Sequence, residues 1–321
     1  MVHDRRDRIV VTGGAGFVGS HLVDALLEGG EAEIVVVDNF ARGRAENLAA
    51  HEGDPRLHII RADIRALDET RRAMRGATHV YHLAAQSTVM RAAADMDYTF
   101  TTNVLGTYNV LKTAAEAGVR RIVFSSSREV YGEPVGLPVD ESHPLFSLNS
   151  YGASKVAGEA LCRAFSRERG LEVMVLRLAN VYGPRDFGRV IPHWIEQARN
   201  GGDLVVYGGE QIIDFIWVGD VARALLRAAN AEVPLPPINV ASGTGTKILD
   251  LARRISQLAG SGAEIRVLPR RSIEVVRFVG STDRMAQLLG LPPAADPLSH
   301  LVGMVRPPAG TPARSTAVAP A

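Results

Sequence analysis

The sequence predicts an α/β protein: a doubly wound parallel sheet with a smaller C-terminal α/β lobe. Three observations predict it. Short apolar runs alternate with longer stretches of helical spacing through the first 180 residues. A glycine-rich turn follows the first run. After about residue 180, glycine and proline become dense and the elements shorten. The apolar runs are Ile9–Thr12, Ile34–Val37, Leu57–Ile60, His79–Leu83, Ile122–Ser125 and Val173–Leu178. They are continuous rather than alternating, which fits strands covered on both faces. Between them, Phe17–Leu27, Asp97–Ala117 and Ser150–Arg169 carry helical periodicity. Right-handed crossovers then wind helices over both faces, and ligands collect at the carboxyl ends of the strands. The later strands are Leu204–Tyr207, Ile213–Trp217, Ile238–Val240 and Ile265–Leu268, and the later helices Gly219–Asn230, Lys247–Leu258 and Asp283–Leu289. They read as a lobe over 181–305 that bounds a cleft with the first domain, 1–180, and is intertwined with it. The Pro-, Ala- and Thr-rich stretch 306–321 has the composition of a disordered tail.

Composition narrows the class. Of 321 residues, 46% are hydrophobic and 22% charged, ordinary for a globular domain. A net charge of +1 gives no electrostatic footprint for nucleic acid. No apolar run reaches the roughly 18 residues that span a bilayer, and the first residues lack a signal-type apolar segment, so a cytoplasmic enzyme is expected. The single cysteine, Cys162, has no histidine beside it and reads as a small buried apolar residue. No metal site is expected. Lysine occurs only at 112, 155 and 247, so Lys155 is less easily incidental.

Gly13, Gly16 and Gly19 follow the first strand and open a helix with the spacing G-x-x-G-x-x-G. Glycine there allows a tight turn and close backbone approach to a pyrophosphate at a helix N-terminus. Asp38 ends the second strand about 20 residues later, where a carboxylate accepts from a ribose 2′-hydroxyl and repels a 2′-phosphate. NAD is therefore favoured over NADP, with Asn39 and Arg42 nearby. Asp63, after the third strand, suits an acceptor for an adenine amino group, or else a helix N-cap.

Tyr151 and Lys155 stand i and i+4 on a predicted helix, so both point into one cleft. A phenol titrates near pH ~10, and a fixed cation beside it favours the phenolate. Ser125, Ser126 and Ser127 end a strand, and the last hydroxyl is placed to donate or accept beside the substrate oxygen. Asn103 sits in a predicted helix, holding a water or the helix bend near Lys155.

These motifs together resemble an extended short-chain dehydrogenase/reductase of the nucleotide-sugar epimerase/dehydratase family. The matching segments are Thr12–Gly19, Asp38-Asn39, His82-Leu83-Ala84-Ala85-Gln86, Asn103, Ser125–Ser127, Val130-Tyr131-Gly132, Tyr151–Lys155, Leu176–Pro184 and Asp214–Asp220, in that order over residues 8 to 290. The resemblance implies a Rossmann domain that holds NAD through Gly13, Gly16, Phe17, Val18, Asp38, Asn39, Asp63, Ile64, Leu83, Ala84, Ala85, Asn103, Ser125, Tyr151 and Lys155. It implies a nucleotide-sugar substrate contacted by Gln86, Ser127, Arg128, Asn180, Arg185, Arg189 and Arg277. Tyr151 would take the proton of the sugar 4-hydroxyl, Ser127 would steady it, and a 4-keto sugar would form. Helices 97–117 and 150–169 would pair with a second copy in a homodimer.

Two departures from the family pattern matter. The segment Ser127-Arg128-Glu129-Val130-Tyr131-Gly132 carries Glu129, an acid/base in dehydratases and decarboxylases, but beside it Arg128 replaces the Asp of glucose-nucleotide dehydratases. Arg128 would lower the Glu129 pKa or bind a substrate carboxylate. Ile213 stands where the family has an Arg, so the charge facing a diphosphate must come from Arg185, Arg189, Arg271 or Arg277. The favoured expectation is a 4-epimerase on a UDP-hexose or UDP-hexuronate. The alternatives are a dehydratase or decarboxylase using Glu129, and a non-catalytic dinucleotide-binding protein.

Overall fold

The computed structural model describes residues 7–270 and 275–306. Arg271 and the tail after Arg306 lie outside the described residues. The chain runs β1 (Arg8–Thr12), α1 (Phe17–Gly29), β2 (Glu33–Asp38), β3 (Leu57–Arg61), α2 (Leu67–Ala73), β4 (His79–His82), α3 (Val89–Ala94), α4 (Met96–Phe100) and α5 (Gly106–Glu116). It continues through β5 (Arg121–Ser127), α6 (Ser150–Arg169), β6 (Glu172–Leu178), β7 (Asn180–Tyr182), α7 (Val190–Arg199), β8 (Leu204–Tyr207) and β9 (Ile212–Trp217). Last come α8 (Val218–Ala229), β10 (Ile238–Val240), β11 (Gly245–Lys247), α9 (Ile248–Ala259), β12 (Ile265–Leu268), β13 (Arg277–Phe278), α10 (Asp283–Leu289) and α11 (Leu301–Val305).

Seven strands form one sheet in the order β10-β6-β5-β4-β1-β2-β3, every pair parallel. Its residues explain the continuous apolar runs. Ile9 and Val11 of β1 pack with Leu22, Leu26 and Leu225 on one face, while Val10 packs with Val110, Leu111 and Cys162 on the other. Both faces of the central strands are covered, which suits continuous apolar runs, whereas the edge strand β3 keeps His58 and Ile59 exposed. The strand order reverses between β1 and β4, and the loops leaving those two strands part there to open a crevice.

The sequence places 238–240 in the second lobe. The structure instead pairs β10 with β6, Ile238 opposite Leu176, as the seventh strand of the main sheet. α8 likewise packs on α1 against that sheet. What remains over the cleft is small: β9 with β7, β11 and β13, a separate β8–β12 pair, and a core of Trp194, Ile195, Phe215, Leu251 and Leu301.

The expected helix 97–117 is also broken. α4 ends at Phe100, a π-helical turn covers Thr101–Leu105, and α5 resumes at Gly106. Two residues account for the break. Asn103 Oδ1 accepts from the Gln86 N–H at 2.7 Å, and its Nδ2 donates to the Gln86 carbonyl at 3.1 Å and to Ser154 Oγ at 2.9 Å. Gly106 lies so close to Ile64 that a Cβ would sit 2.6 Å from its Cδ1. An α-helix that must present Asn103 sideways and pass Ile64 takes one wider turn to do both.

Among the described residues no helix is long and apolar enough to cross a membrane.

Candidate active site

A cleft of about 1430 Å³ runs along the carboxyl ends of the strands. That exceeds the roughly 300–1,000 Å³ usual for one small ligand. Its wall includes Gly13 after β1, Asp38 at the end of β2, Ala62 and Ile64 after β3, Leu83–Gln86 after β4, Ser125–Ser127 of β5, and Leu178–Asn180 after β6.

The glycine turn is built for close approach. Gly13 has φ +73°, and a Cβ there would lie 2.7 Å from the Ala84 nitrogen. A Cβ on Gly19 would collide with the Gly13 carbonyl. Gly16, Phe17 and Val18 line the cleft at the start of α1, where the first turn of a helix leaves N–H groups without intrahelical partners. The buried Asp38 carboxylate accepts from the N–H groups of Ala15 (3.1 Å) and Phe40 (2.8 Å). Burial pushes its pKa up, and the two N–H bonds pull it back. Asp63 falls just outside the wall. Burial alone would raise its pKa, but bonds from Arg65 and Asn39 hold the carboxyl down at about 2. Asn103 is not a wall residue either: it fastens the 83–86 loop to α6 through the bonds given above. His82, beneath that loop, lies between Thr12 and Thr107, and burial lowers its pKa to about 3, leaving it neutral. This neutral donor–acceptor pairing keeps Thr12 and the Leu83–Ala84 turn in register.

Opposite the glycine turn, α6 begins at Asn149, whose Oδ1 accepts from Gly152 N at 2.9 Å. A Cβ on Gly152 would collide with the Glu129 carbonyl, so α6 lies directly on the turn after β5. This contact brings Ser127 into hydrogen bond with Tyr151. Lys155, one turn on, is buried and donates to the Ser125 carbonyl at 2.7 Å. Burial lowers its pKa to about 8.

The phenol differs from the sequence expectation. Burial raises the Tyr151 pKa, and the largest opposing influence is Arg189, then the Ser127 bond. Lys155 is turned toward Ser125, with Nζ 6.0 Å from the Tyr151 ring centre. Arg189, not Lys155, therefore acts most strongly against the burial effect.

Glu129 is fully engaged. Its Oε1 meets Arg128 Nη2 at 2.8 Å, and its Oε2 accepts from Asn149 Nδ2 at 2.7 Å. Arg128, Glu129 and Asn180 line the cleft, as does Arg189, which meets Asp186 at 3.3 Å and lies over the Phe17 ring at 5.6 Å. Arg185 and Arg277 do not. Arg185 turns away to Asp24 at 2.7 Å, and Arg277, half exposed, lies 3.8 Å from Glu133. Asp214 serves packing: buried, it accepts from the N–H groups of Ser242, Gly243 and Gly280.

Sequence reading named Arg42 only as a neighbour of Asp38, and missed Arg91 and Asp186 as wall residues. Burial, together with Arg189 and Arg91, lowers the Arg42 pKa to about 10, and burial raises Asp186 to about 6. Arg44 stacks 3.9 Å from Phe187, tying the 39–44 loop to the 186–189 loop. The only sequence signal was the i, i+3 spacing of Asp186 and Arg189.

The cradle that any Cβ would fill, the Asp38 acceptor and the proton-bearing Ser127–Tyr151 pair fit a nicotinamide dinucleotide. Comparison with known proteins agrees. The profile of the NAD dependent epimerase/dehydratase family matches residues 9–241. A putative UDP-glucose 4-epimerase of Methanocaldococcus jannaschii is 36% identical over 90% of this chain and 94% of its own length. UDP-glucuronic acid decarboxylase 1 of Xenopus tropicalis is 36% identical over 90% of this chain and 69% of its own. The solved structure of a dTDP-glucose 4,6-dehydratase from Streptomyces venezuelae, with NAD bound, is 31% identical and superposes with a TM-score of 0.88 over 93% of this chain and 95% of that one. The chain belongs to the NAD dependent epimerase/dehydratase family.

Proposed function

We propose that this protein is a nucleotide-sugar 4-epimerase that works through a transient 4-keto sugar, on a UDP-hexose or UDP-hexuronate. The observation that carries the reading is the state of Glu129. Both carboxylate oxygens are committed, to Arg128 and Asn149, so the side chain is a fixed counter-charge rather than a free acid or base. The reading assigns each group needed at C4. Ser127 and Tyr151 hold the 4-hydroxyl between them, and Tyr151 removes its proton. Arg189 and Arg128 favour the phenolate. Lys155 fixes the β5 end through the Ser125 carbonyl. The Gly13–Val18 turn and Asp38 would hold NAD, which when bound would supply the hydride chemistry at C4. Epimerisation would then need room for the keto sugar to present its other face, which the cleft of about 1430 Å³ offers.

A decarboxylase is the second reading, favoured by the position of Glu129 on the cleft wall and by the decarboxylases among the relatives. A homodimer is part of the proposal. Met96, Phe100, Leu105 and Tyr108 expose apolar surface along 96–108, and the Tyr108 ring meets Phe165 of α6 at 5.9 Å, so one apolar face spans both helices.

The test is a panel of UDP-, dTDP-, GDP- and CDP-sugars, with products read by NMR and mass. Inversion at C4 with unchanged mass is the expected result. Loss of water or carbon dioxide would replace the epimerase reading with a dehydratase or decarboxylase.

A further inference from the structure

We propose that Arg128 is a carboxylate-binding residue, making a nucleotide-linked hexuronate the preferred substrate, and that it steers the keto sugar away from decarboxylation. The inference rests on the 4-epimerase reading for its chemistry but not for its binding test.

Four observations converge. Arg128 is 8% exposed, yet it lines the cleft. Its guanidinium is half used: Nη2 meets Glu129, while Nη1 is buried with no hydrogen-bond partner. Glu129 meets Nη2 alone, its other oxygen being taken by Asn149, which is itself fixed as the cap of α6. The guanidinium carbon lies over the Phe278 ring, 5.6 Å from its centre, a cation–π contact that adds to its anchoring. A buried cation with an idle fork is costly unless a ligand completes it. A carboxylate is the acceptor whose geometry matches the fork.

Position selects which carboxylate. Ser127 and Tyr151 mark where the 4-oxygen sits, and Arg128 is the residue beside Ser127, near enough to act on the Tyr151 phenol. In a hexopyranose the group one carbon from C4, across C5, is C6. In a hexuronate C6 is the carboxylate.

The same contact bears on the outcome. In a 4-keto uronate the C5–C6 bond can break, its electron pair passing to the C4 ketone as an enolate while carbon dioxide leaves. The carboxylate loses its charge in that step. A cation paired with it stabilises the starting state more than the departing neutral molecule, so Arg128 raises that barrier and leaves time for the ketone to turn.

The experiment uses the purified protein with its bound coenzyme, as wild type, Arg128→Gln and Arg128→Lys. Calorimetry gives the affinities for UDP-glucuronate, UDP-glucose and UDP, and NMR with mass gives the products. The expected result is tighter wild-type binding of the uronate than of the hexose. Arg128→Gln should weaken uronate binding by roughly 10- to 100-fold with UDP affinity retained, Arg128→Lys should fall between, and the Gln variant should release more carbon dioxide per turnover. Equal wild-type affinity for the two sugars would overturn the proposal, as would a Gln variant that weakens both alike. Should no sugar invert at C4, the epimerase reading fails while the affinity ratio still decides the role of Arg128.

Discussion

The two walls of the cleft are held by different means. The strand-end wall is made of backbone: the Gly13–Gly19 turn, two N–H groups on Asp38, and a loop fastened through both peptide groups of Gln86 by Asn103. The facing wall is made of charged side chains: Arg91 on α3, and Arg42, Arg189 and Asp186 on loops joined by the Arg44–Phe187 stack. The first wall is preorganised by sterics. The second is electrostatic, and its shape depends on which ion pairs form.

That contrast can be tested in descending order of effect. Tyr151→Phe removes the phenol proposed as proton acceptor at the junction of the walls. It should cut kcat by roughly 10²- to 10⁴-fold while leaving NAD bound, as steady-state rates and coenzyme content would record. A near-normal rate would break the assignment.

Arg189→Gln tests the side-chain wall. Arg189 pulls the Tyr151 pKa down against burial, so its loss lets that pKa rise. Less phenolate is then present at a given pH, and the rising limb of kcat/KM should move to higher pH. An unmoved profile would show that Arg189 does not govern the phenol.

Asn103→Ala tests the backbone wall. It leaves the Gln86 peptide groups unpaired in the interior and removes the bond that Ser154 Oγ accepts, while its bond to the Tyr151 carbonyl stays, and urea unfolding should report a loss of roughly 1–3 kcal/mol. The smallest effects belong to Arg185→Ala and Arg277→Ala. Both side chains point away from the cleft into ion pairs with Asp24 and Glu133, so KM should change by less than roughly twofold. A large rise in KM would mean that the facing wall rearranges on binding.

Legibility in the sequence follows the same division. The first six sheet strands and the glycine turn were readable because buried parallel strands need unbroken apolar runs, and because only glycine fits at 13 and 19. Tyr151 and Lys155 were readable from helical spacing. The choice among arginines was not, because a guanidinium reaches several ångströms in directions that spacing does not set. Arg185 and Arg189 are four residues apart, yet one faces Asp24 and the other the cleft. The π-turn at 101–105 escaped because its cause lies in Gln86 and Ser154, distant in sequence. The membership of β10 escaped because a three-residue strand carries no mark of the sheet it joins.

β10 has a consequence for how this polypeptide can be handled. A fragment cut just after β6 would present that strand's amide and carbonyl groups to solvent, with Leu176 and Leu178 stripped of their neighbour. Such a piece would find its missing partner in other molecules and precipitate. Attempts to express the dinucleotide-binding portion by itself should therefore carry the chain through at least Val240, or supply residues 238–240 as a grafted peptide.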